Sequence, residues 1–442
     1  MNEISDNILF KSSCVGQVIQ EWSLVPLKDC VQKFHQGINT AADKIEYTQT
    51  GVAVLQAKHI TTGSIDFTGV RRLNRVDYVR YKEKFNPHQD DILLTNIGTI
   101  GKTAIVLTDS EFLIAWNIFL ISTNEKAISR YLKFIFECLD EQRYYRTLSN
   151  GNATKFVNKA SLESICIPLP NLKEQQKIAD ILTSVDRVIE KTEHQISKLQ
   201  KLKKGVLNDL LTGGVGHTQF KNSQVGRIPR CWCVFPLKSV TKMMINGFVG
   251  TASPHYVSEG IAYVRSLNIR PNLIDTRNLI YVSEGFHRRN ERSILKEGDL
   301  LTVQSGHTGT SSVVPKSLEN ANCHAVILSR FDSNQVQSEF VSQYLNSDLG
   351  KVRLKQICVG SVIQHINTKD FKDFYIPIPP ISEQKKINNI LTSIENNIKK
   401  KQQKLRQTKN LKKSMMQELL TGRVRVKVSQ DQSNRTPFAT QK

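Results

Sequence analysis

The stretch of this chain nearest to a catalytic motif is Asn96-Ile-Gly-Thr-Ile-Gly-Lys-Thr103. It fits Gly-x4-Gly-Lys-Ser/Thr, the loop whose backbone N–H groups cradle nucleotide phosphates, except that Asn96 replaces the first glycine. Two patterns argue against nucleotide chemistry. Thr103-Ala-Ile-Val-Leu107 continues as a strand-like run where the loop needs a helix N-terminus. The corresponding Gln304-Ser-Gly-His-Thr-Gly-Thr-Ser311 has no lysine. A glycine-rich β-turn is the expected structure. No Gly-x-Ser-x-Gly elbow and no His-Glu-x-x-His occurs. Asn86-Pro87-His88 lacks the second proline and the aromatic that an adenine methyltransferase would need. The histidines, among them His35, His59, His88 and His194, make no ligand spacing. Of the eight cysteines only Cys231 and Cys233 are close, as one Cys-x-Cys with no His or second pair nearby to complete a zinc site. The chain reads as non-catalytic, with reduced thiols and no metal ligands.

Binding is what remains. A net charge of +21 and a pI near 9.6 point to a polyanion, nucleic acid first. Basic residues cluster at Arg71, Arg72, Arg75, Arg80, Lys82 and Lys84, and again at Arg265, Arg270, Arg277, Arg288, Arg289 and Arg292. Arginine reads guanine through two parallel hydrogen bonds, and Lys or Arg positions phosphates. A later polar loop adds Asn152, Thr154, Lys155 and, in its second occurrence, Ser361, Gln364 and His365. The DNA-binding candidates are Arg71, Arg72, Arg75, Lys155, Arg265, Arg288, Arg289, Gln364 and His365. For any one of them the plain alternative is a solvated surface.

The elements that must carry these residues are duplicated. Ile167-Pro-Leu-Pro-Asn-Leu-Lys-Glu-Gln-Gln-Lys-Ile178 returns 209 residues on as Ile376-Pro-Ile-Pro-Pro-Ile-Ser-Glu-Gln-Lys-Lys-Ile387, and Ile-Leu-Thr-Ser follows in both. Pro-x-Pro ends an extended segment, and Glu174 and Glu383 fall in the first turn of a helix, where an anion meets the positive end of its dipole. Apolar residues then recur at three-to-four spacing: Ile178, Leu182, Val185, Ile189, Ile196 and Leu199, and in the second copy Ile387, Leu391, Ile394, Ile398 and Leu405. Each run closes on Leu-Leu-Thr-Gly, glycine being usual just past a helix end. Roughly forty residues at about 1.5 Å each give a helix of roughly 60 Å. So long a helix with so narrow a seam needs a partner, and its own copy is the obvious one. From Lys385 to Lys427 there are thirteen Lys or Arg and two acids, a face that is either simply solvated or set against phosphates or an acidic partner.

The duplication extends upstream. Gly16-x-Val-x-x-x-Trp22 pairs with Gly226-x-Ile-x-x-x-Trp232, and Asp91-Ile-Leu-Leu-Thr95 with Asp299-Leu-Leu-Thr-Val303. Short β-rich runs such as Val52–Leu55, Ile92–Thr95 and Phe119–Ile121, with single helices near Arg130–Leu139 and Ser338–Leu345, predict a strand-dominated α+β domain in each half. The expected layout is a leader (1–15), a globular domain (16–166), a helical region (167–213), a linker (214–225), a second globular domain (226–375), a second helical region (376–425) and a disordered tail (426–442). No apolar run approaches membrane-spanning length and no signal-like segment leads the chain.

This doubled architecture, with its paired Pro-Leu/Ile-Pro…Glu-Gln-x-x-Ile motifs, resembles the specificity subunit of type I restriction–modification systems over residues 16–425. The resemblance implies two α+β target-recognition domains joined by two long helices that pair as an antiparallel coiled coil with internal pseudo-two-fold symmetry. Each domain would read one half of a bipartite double-stranded DNA target, the helices serving as spacer and as the dock for two methyltransferase subunits, with motor-endonuclease subunits added to that core. S-adenosylmethionine, ATP and Mg²⁺ would belong to the partners, with no cofactor bound by this chain, no membrane and a cytoplasmic location. Two other classes stay open: a stand-alone DNA-binding regulator with a helical oligomerisation rod, and a cryptic nuclease or NTPase resting on the Gly98–Thr103 loop.

Overall fold

In a computed structural model the chain divides into two units, and residues 9–61, 63–149, 155–360 and 364–427 are described. The first unit runs to Glu193 and resumes at Gln403; the second is His194–Gln402. Asn152, Thr154, Ser361, residues 1–8 of the expected leader and residues 428–442 of the expected tail lie outside the described residues.

The first unit opens with a hairpin, Phe10–Ser13 against Gly16–Ile19. Its core sheet is antiparallel, in the order Thr103–Ile105, Ile92–Thr95, Ile118–Thr123, Val31–Gln36. Ile92, Leu93, Leu94 and Thr95 are all buried, so this strand is apolar on both faces rather than alternating. A smaller sheet sets Val52–Leu55 between a parallel neighbour, Phe112–Ile114, and an antiparallel one, Arg71–Leu73. The second unit repeats this plan. Phe220–Ser223 hairpins with Gly226–Pro229. The core sheet runs Thr241–Asn246, Val326–Phe331, Leu300–Val303, Ser311–Val313, and the smaller sheet gains an edge strand, Tyr256–Val257. The expected leader and linker therefore each supply the first strand of an ordered hairpin.

The repeated motifs now have structural reasons. Cys166–Leu169 pairs antiparallel with Ser23–Pro26, and Tyr375–Ile378 with Cys233–Pro236. Both ladders have only two strands, so a proline that cannot donate is tolerated at the open edge. The long helices follow at once, Leu172–Gly213 (42 residues) and Ile381–Leu420 (40 residues). Asn171 caps the first, its Oδ1 accepting the Glu174 N–H at 3.0 Å. Gly214 (φ +66°) and Gly422 (φ +73°) carry the left-handed turn after each helix. A Cβ at Gly422 would come within 2.7 Å of Ile19, and one at Gly214 within 2.4 Å of the Glu383 carboxylate, so only glycine fits either place.

Within each unit the start of one long helix packs against the end of the other, running in opposite directions. In the first unit Asp186 pairs with Lys412 (2.6 Å) and Glu193 with Lys409 (2.7 Å). In the second, Gln195 meets Lys401 (2.8 Å) and Lys203 meets Glu395 (2.7 Å). These polar pairs flank the apolar residues expected along the seam, which are not all alike. Ile178 and Leu182 join Met416, Leu419 and Leu420 inside the core with Trp22, Tyr131 and Ile135. Ile387 and Leu391 do the same with Leu210, Leu211, Trp232 and Phe340. Ile196 and Ile398 are buried, while Val185, Ile189, Leu199, Ile394 and Leu405 are half-buried. In each unit the helix ends nearest the domain are therefore part of that unit's globular core.

Candidate nucleic-acid interface

The glycine-rich stretch that imitates a phosphate loop is a hairpin turn. Ile92–Thr95 and Thr103–Ile105 are its antiparallel arms, so no helix N-terminus follows the lysine. Lys102 is held by Asp140, Nζ to Oδ2 at 2.8 Å. The nucleotide reading loses both of its physical requirements, a helix dipole and a free ammonium.

In both units this hairpin loop meets the later loop. Gly98 donates its N–H to the Lys155 carbonyl at 3.2 Å, and Ile97 bridges to Phe156. In the second unit Ser305 bridges to His365, its Oγ lying 2.6 Å from His365 Nδ1, and Thr308 Oγ1 donates to the Gln364 carbonyl at 2.8 Å. Lys155, Gln364 and His365 therefore sit in equivalent places, 209 residues separating Lys155 from Gln364. In the first unit the junction opens on a cavity of about 610 Å³ lined in part by Lys102, Arg143, Arg146, Lys155 and Lys413. Four further cations thus line the cavity with Lys155, two of them paired with acids that also line it, Lys102 with Asp140 and Lys413 with Glu141 (3.4 Å). Arg143, Arg146 and Lys413 come from three separate turns and helices, and no spacing in the sequence singles them out.

The other candidates lie on different elements. Arg71 and Arg72 are exposed on the short edge strand Arg71–Leu73. The Arg71 guanidinium stacks 4.8 Å over Tyr47, and Arg72 Nη1 donates to the Gly51 carbonyl at 2.8 Å. Arg75 opens the helix Arg75–Phe85 and is ion-paired with Glu111, which raises its pKa and lowers that of Glu111. Arg288 and Arg289 are on the topologically equivalent helix Glu284–Arg289. Arg288 is paired with Glu284 at 2.9 Å, whereas Arg289 is exposed with no ion-pair partner among the described residues. Arg265 follows the strand Ile261–Val264, its Nε buried without a hydrogen-bond partner. It stands near His324, whose pKa is lowered by burial and then by the Arg265 charge. The structure therefore brings Lys155, and equivalently Gln364 and His365, to the hairpin loops, and leaves the arginine candidates on the smaller sheets and their helices. Trp116, 46% exposed on the loop before Ile118–Thr123, is an aromatic that composition alone does not flag.

The cysteines also sort by place. Cys14 and Cys138 are buried, and burial pushes their thiols up to about 12, which makes them poor nucleophiles. Cys231 is exposed, and contrary to the sequence reading it has a histidine beside it: His217 Nδ1 lies 3.8 Å from its sulfur.

No helix among the described residues is long and apolar enough to cross a membrane. The sequence model of the type I restriction modification DNA specificity domain matches twice, at residues 20–201 and 229–409. Two relatives from Methanocaldococcus jannaschii carry the names MjaX and MjaVIII type I restriction enzyme specificity subunit. The first is 28% identical over 435 residues, covering 95% of this chain and 97% of the relative. The second is 26% identical over 424 residues, covering 95% and 96%. Among solved structures, the S subunit of a type I restriction–modification system from M. genitalium superposes with a TM-score of 0.55 at 14% identity, covering 95% of this chain and 98% of that one. That likeness is one of fold. With the specificity domain matched in two copies over most of its length, the chain belongs to the type I restriction modification DNA specificity family, as a non-catalytic DNA-recognition subunit.

Proposed function

We propose that each globular unit reads one half of a bipartite double-stranded DNA target and that the paired long helices dock two methyltransferase subunits, with motor-endonuclease subunits joining that assembly. The observation that carries this reading is the internal repeat. The specificity domain is matched twice, and the junction of hairpin loop and later loop recurs in each unit with different side chains, Lys155 and Phe156 in one and Gln364 and His365 in the other. A duplicated scaffold with divergent side chains at one place is what two different half-sites require. S-adenosylmethionine is then a substrate of the methyltransferase partners and ATP with Mg²⁺ of the motor subunits, all in the cytoplasm.

The test is methylation mapping of DNA from cells that express the chain with its methyltransferase partners. Gln364→Ala with His365→Ala should relax the bases of one half-site only. A lost two-bond contact of about 1–3 kcal/mol corresponds to roughly 5- to 150-fold in discrimination. Altered bases in both halves would overturn the assignment of one reader to each half.

A further inference from the structure

The two units treat one buried carboxylate differently. In the first unit Glu174, at the start of the first long helix, is met by Arg425 through Nε–Oε1 (2.8 Å) and Nη2–Oε2 (3.3 Å). The same arginine pairs with Glu21. A guanidinium between two carboxylates closes that corner. In the second unit the equivalent carboxylate, Glu383, is 8% exposed and has no Lys or Arg partner among the described residues. Its Oε1 lies 2.8 Å from His217 Nε2 and accepts the Val215 N–H at 2.9 Å, while Oε2 accepts Trp232 Nε1–H at 3.0 Å. Where the first unit has Glu21, one residue before Trp22, the second has Cys231, one residue before Trp232. The Cys231 sulfur is 4.0 Å from His217 Nε2.

From this the geometry points to a zinc(II) site built by His217, Cys231 and Glu383, in the place that Arg425 fills in the first unit. Imidazole nitrogen, thiolate and carboxylate are a zinc donor set, and water would complete the four-coordinate shell. The three donor atoms already lie within 4.8 Å of one another. Around a tetrahedral zinc with bonds of about 2.0–2.3 Å, donors stand roughly 3.3–3.7 Å apart, so adjustments of about an ångström or less suffice. Cys231 is exposed, so its side chain can make most of that adjustment, while glycine at 214 lets the backbone pass close beside Glu383 and His217. Thiolate and carboxylate together balance the two charges of the ion. The ion would tie two nearby segments, the chain leaving the first long helix (His217) and the turn after the opening hairpin (Cys231), to the first turn of the second long helix (Glu383), 166 residues from His217. It would supply there the positive charge that Arg425 supplies beside Glu174 in the first unit.

The full-length chain, kept reduced by a phosphine, should bind one equivalent of cobalt(II) with a thiolate-to-metal charge-transfer band and tetrahedral d–d bands, both abolished by one equivalent of zinc. Cys231→Ser should remove the charge-transfer band, and His217→Asn should weaken binding at least tenfold. Cys233→Ser, also exposed two residues away, should change neither. A charge-transfer band that survives Cys231→Ser, or no stoichiometric cobalt uptake by the wild type, would overturn the site. A measurement without variants stands beside these. Zinc should protect Cys231 from iodoacetamide while leaving Cys166 and Cys233 reactive, as read by peptide mass spectrometry, and equal alkylation with and without zinc would leave only a His–Glu hydrogen bond beside a free thiol.

Discussion

Gln175 and Gln384 show what a repeated residue is for. Gln384 is fully buried; its Oε1 accepts the Gln337 N–H at 2.8 Å, and its Nε2 donates to the carbonyls of Gln335 (2.9 Å) and Pro379 (2.8 Å). Gln175 repeats this on Ile128, Lys126 and Pro170 at 2.9, 3.0 and 2.9 Å. One amide thus staples the start of each long helix to the loop that leads into the domain's helix, Ser129–Glu141 or Ser338–Asn346. Gln384→Ala would strand an N–H and two carbonyls, at about 1–3 kcal/mol for a buried group left unpaired. A loss of about 3 kcal/mol is expected, read as a lower urea midpoint, and an unchanged midpoint would mean that water replaces the amide. The sequence shows that Glu-Gln recurs at one offset; it does not show why, because all three partners are backbone atoms and backbone leaves no residue-type signature. Cys231 and His217 are only 14 residues apart, but two such residues alone do not make a ligand set. Glu383, which meets His217, lies 166 residues from it, beyond any ligand spacing that a local motif can reveal.

Long elements were the most legible. Pro-x-Pro and the seam periodicity give both long helices their start, and helices were expected near Arg130–Leu139 and Ser338–Leu345 where Ser129–Glu141 and Ser338–Asn346 stand. The helix Arg75–Phe85 escaped, because its apolar residues do not form one stripe: Tyr78 is buried while Val76 and Val79 are 80% and 54% exposed. The ionic contacts between elements were also hidden. Lys133 and Lys412 alternate with Glu137 and Asp186 in a closed ring, with separations of 2.8, 2.7, 2.6 and 2.6 Å. Asp186–Lys412 recurs 209 residues away as Glu395–Lys203, while Lys133 and Glu137 give way to Ser342 and Asn346. Burial alone would pull the Lys412 ammonium down, but Glu137 and Asp186 outweigh it, so its pKa lies above the ordinary lysine value. Lys412→Met leaves two buried carboxylates short of a cation and should cost about 3–5 kcal/mol. A raised folded-state pKa means that the contribution is complete below about pH 10.4 and fades as pH rises through the folded value. The difference between wild type and variant in urea denaturation should therefore be flat across neutral pH and shrink only in strong alkali. A difference that shrinks already near pH 8 would show that the ring does not hold Lys412 charged.

At the scale of the whole molecule, composition alone pointed to a polyanion, and a charge of +21 sets a large non-specific background against which reading must occur. The architecture was legible because duplication amplifies weak motifs, while the surface proposed to read DNA is legible only as positions in the repeat. Lys155, Gln364 and His365 fall at equivalent loop junctions, but Arg71, Arg72, Arg75 and Arg288 already have partners within their own unit. Phosphate contacts and base contacts can be separated by salt. Each neutralised phosphate contributes about −0.9 to the slope of log K against log salt for duplex DNA. Lys155→Ala and Arg289→Ala, which remove cations, should each flatten that slope by about one and weaken binding to matched and mismatched duplexes alike. Gln364→Ala removes no charge, so the slope should stand, and only the preference for the matched duplex should fall, by about 1–3 kcal/mol at one base pair. The measurement is a fluorescence titration of the chain assembled with its methyltransferase partners over a range of salt concentrations. If Lys155→Ala instead kept the slope and lost discrimination, Lys155 would be a base reader and the basic cavity around it part of the reading surface. If Gln364→Ala changed neither quantity, recognition in the second unit would have to move to Arg265 and Arg289.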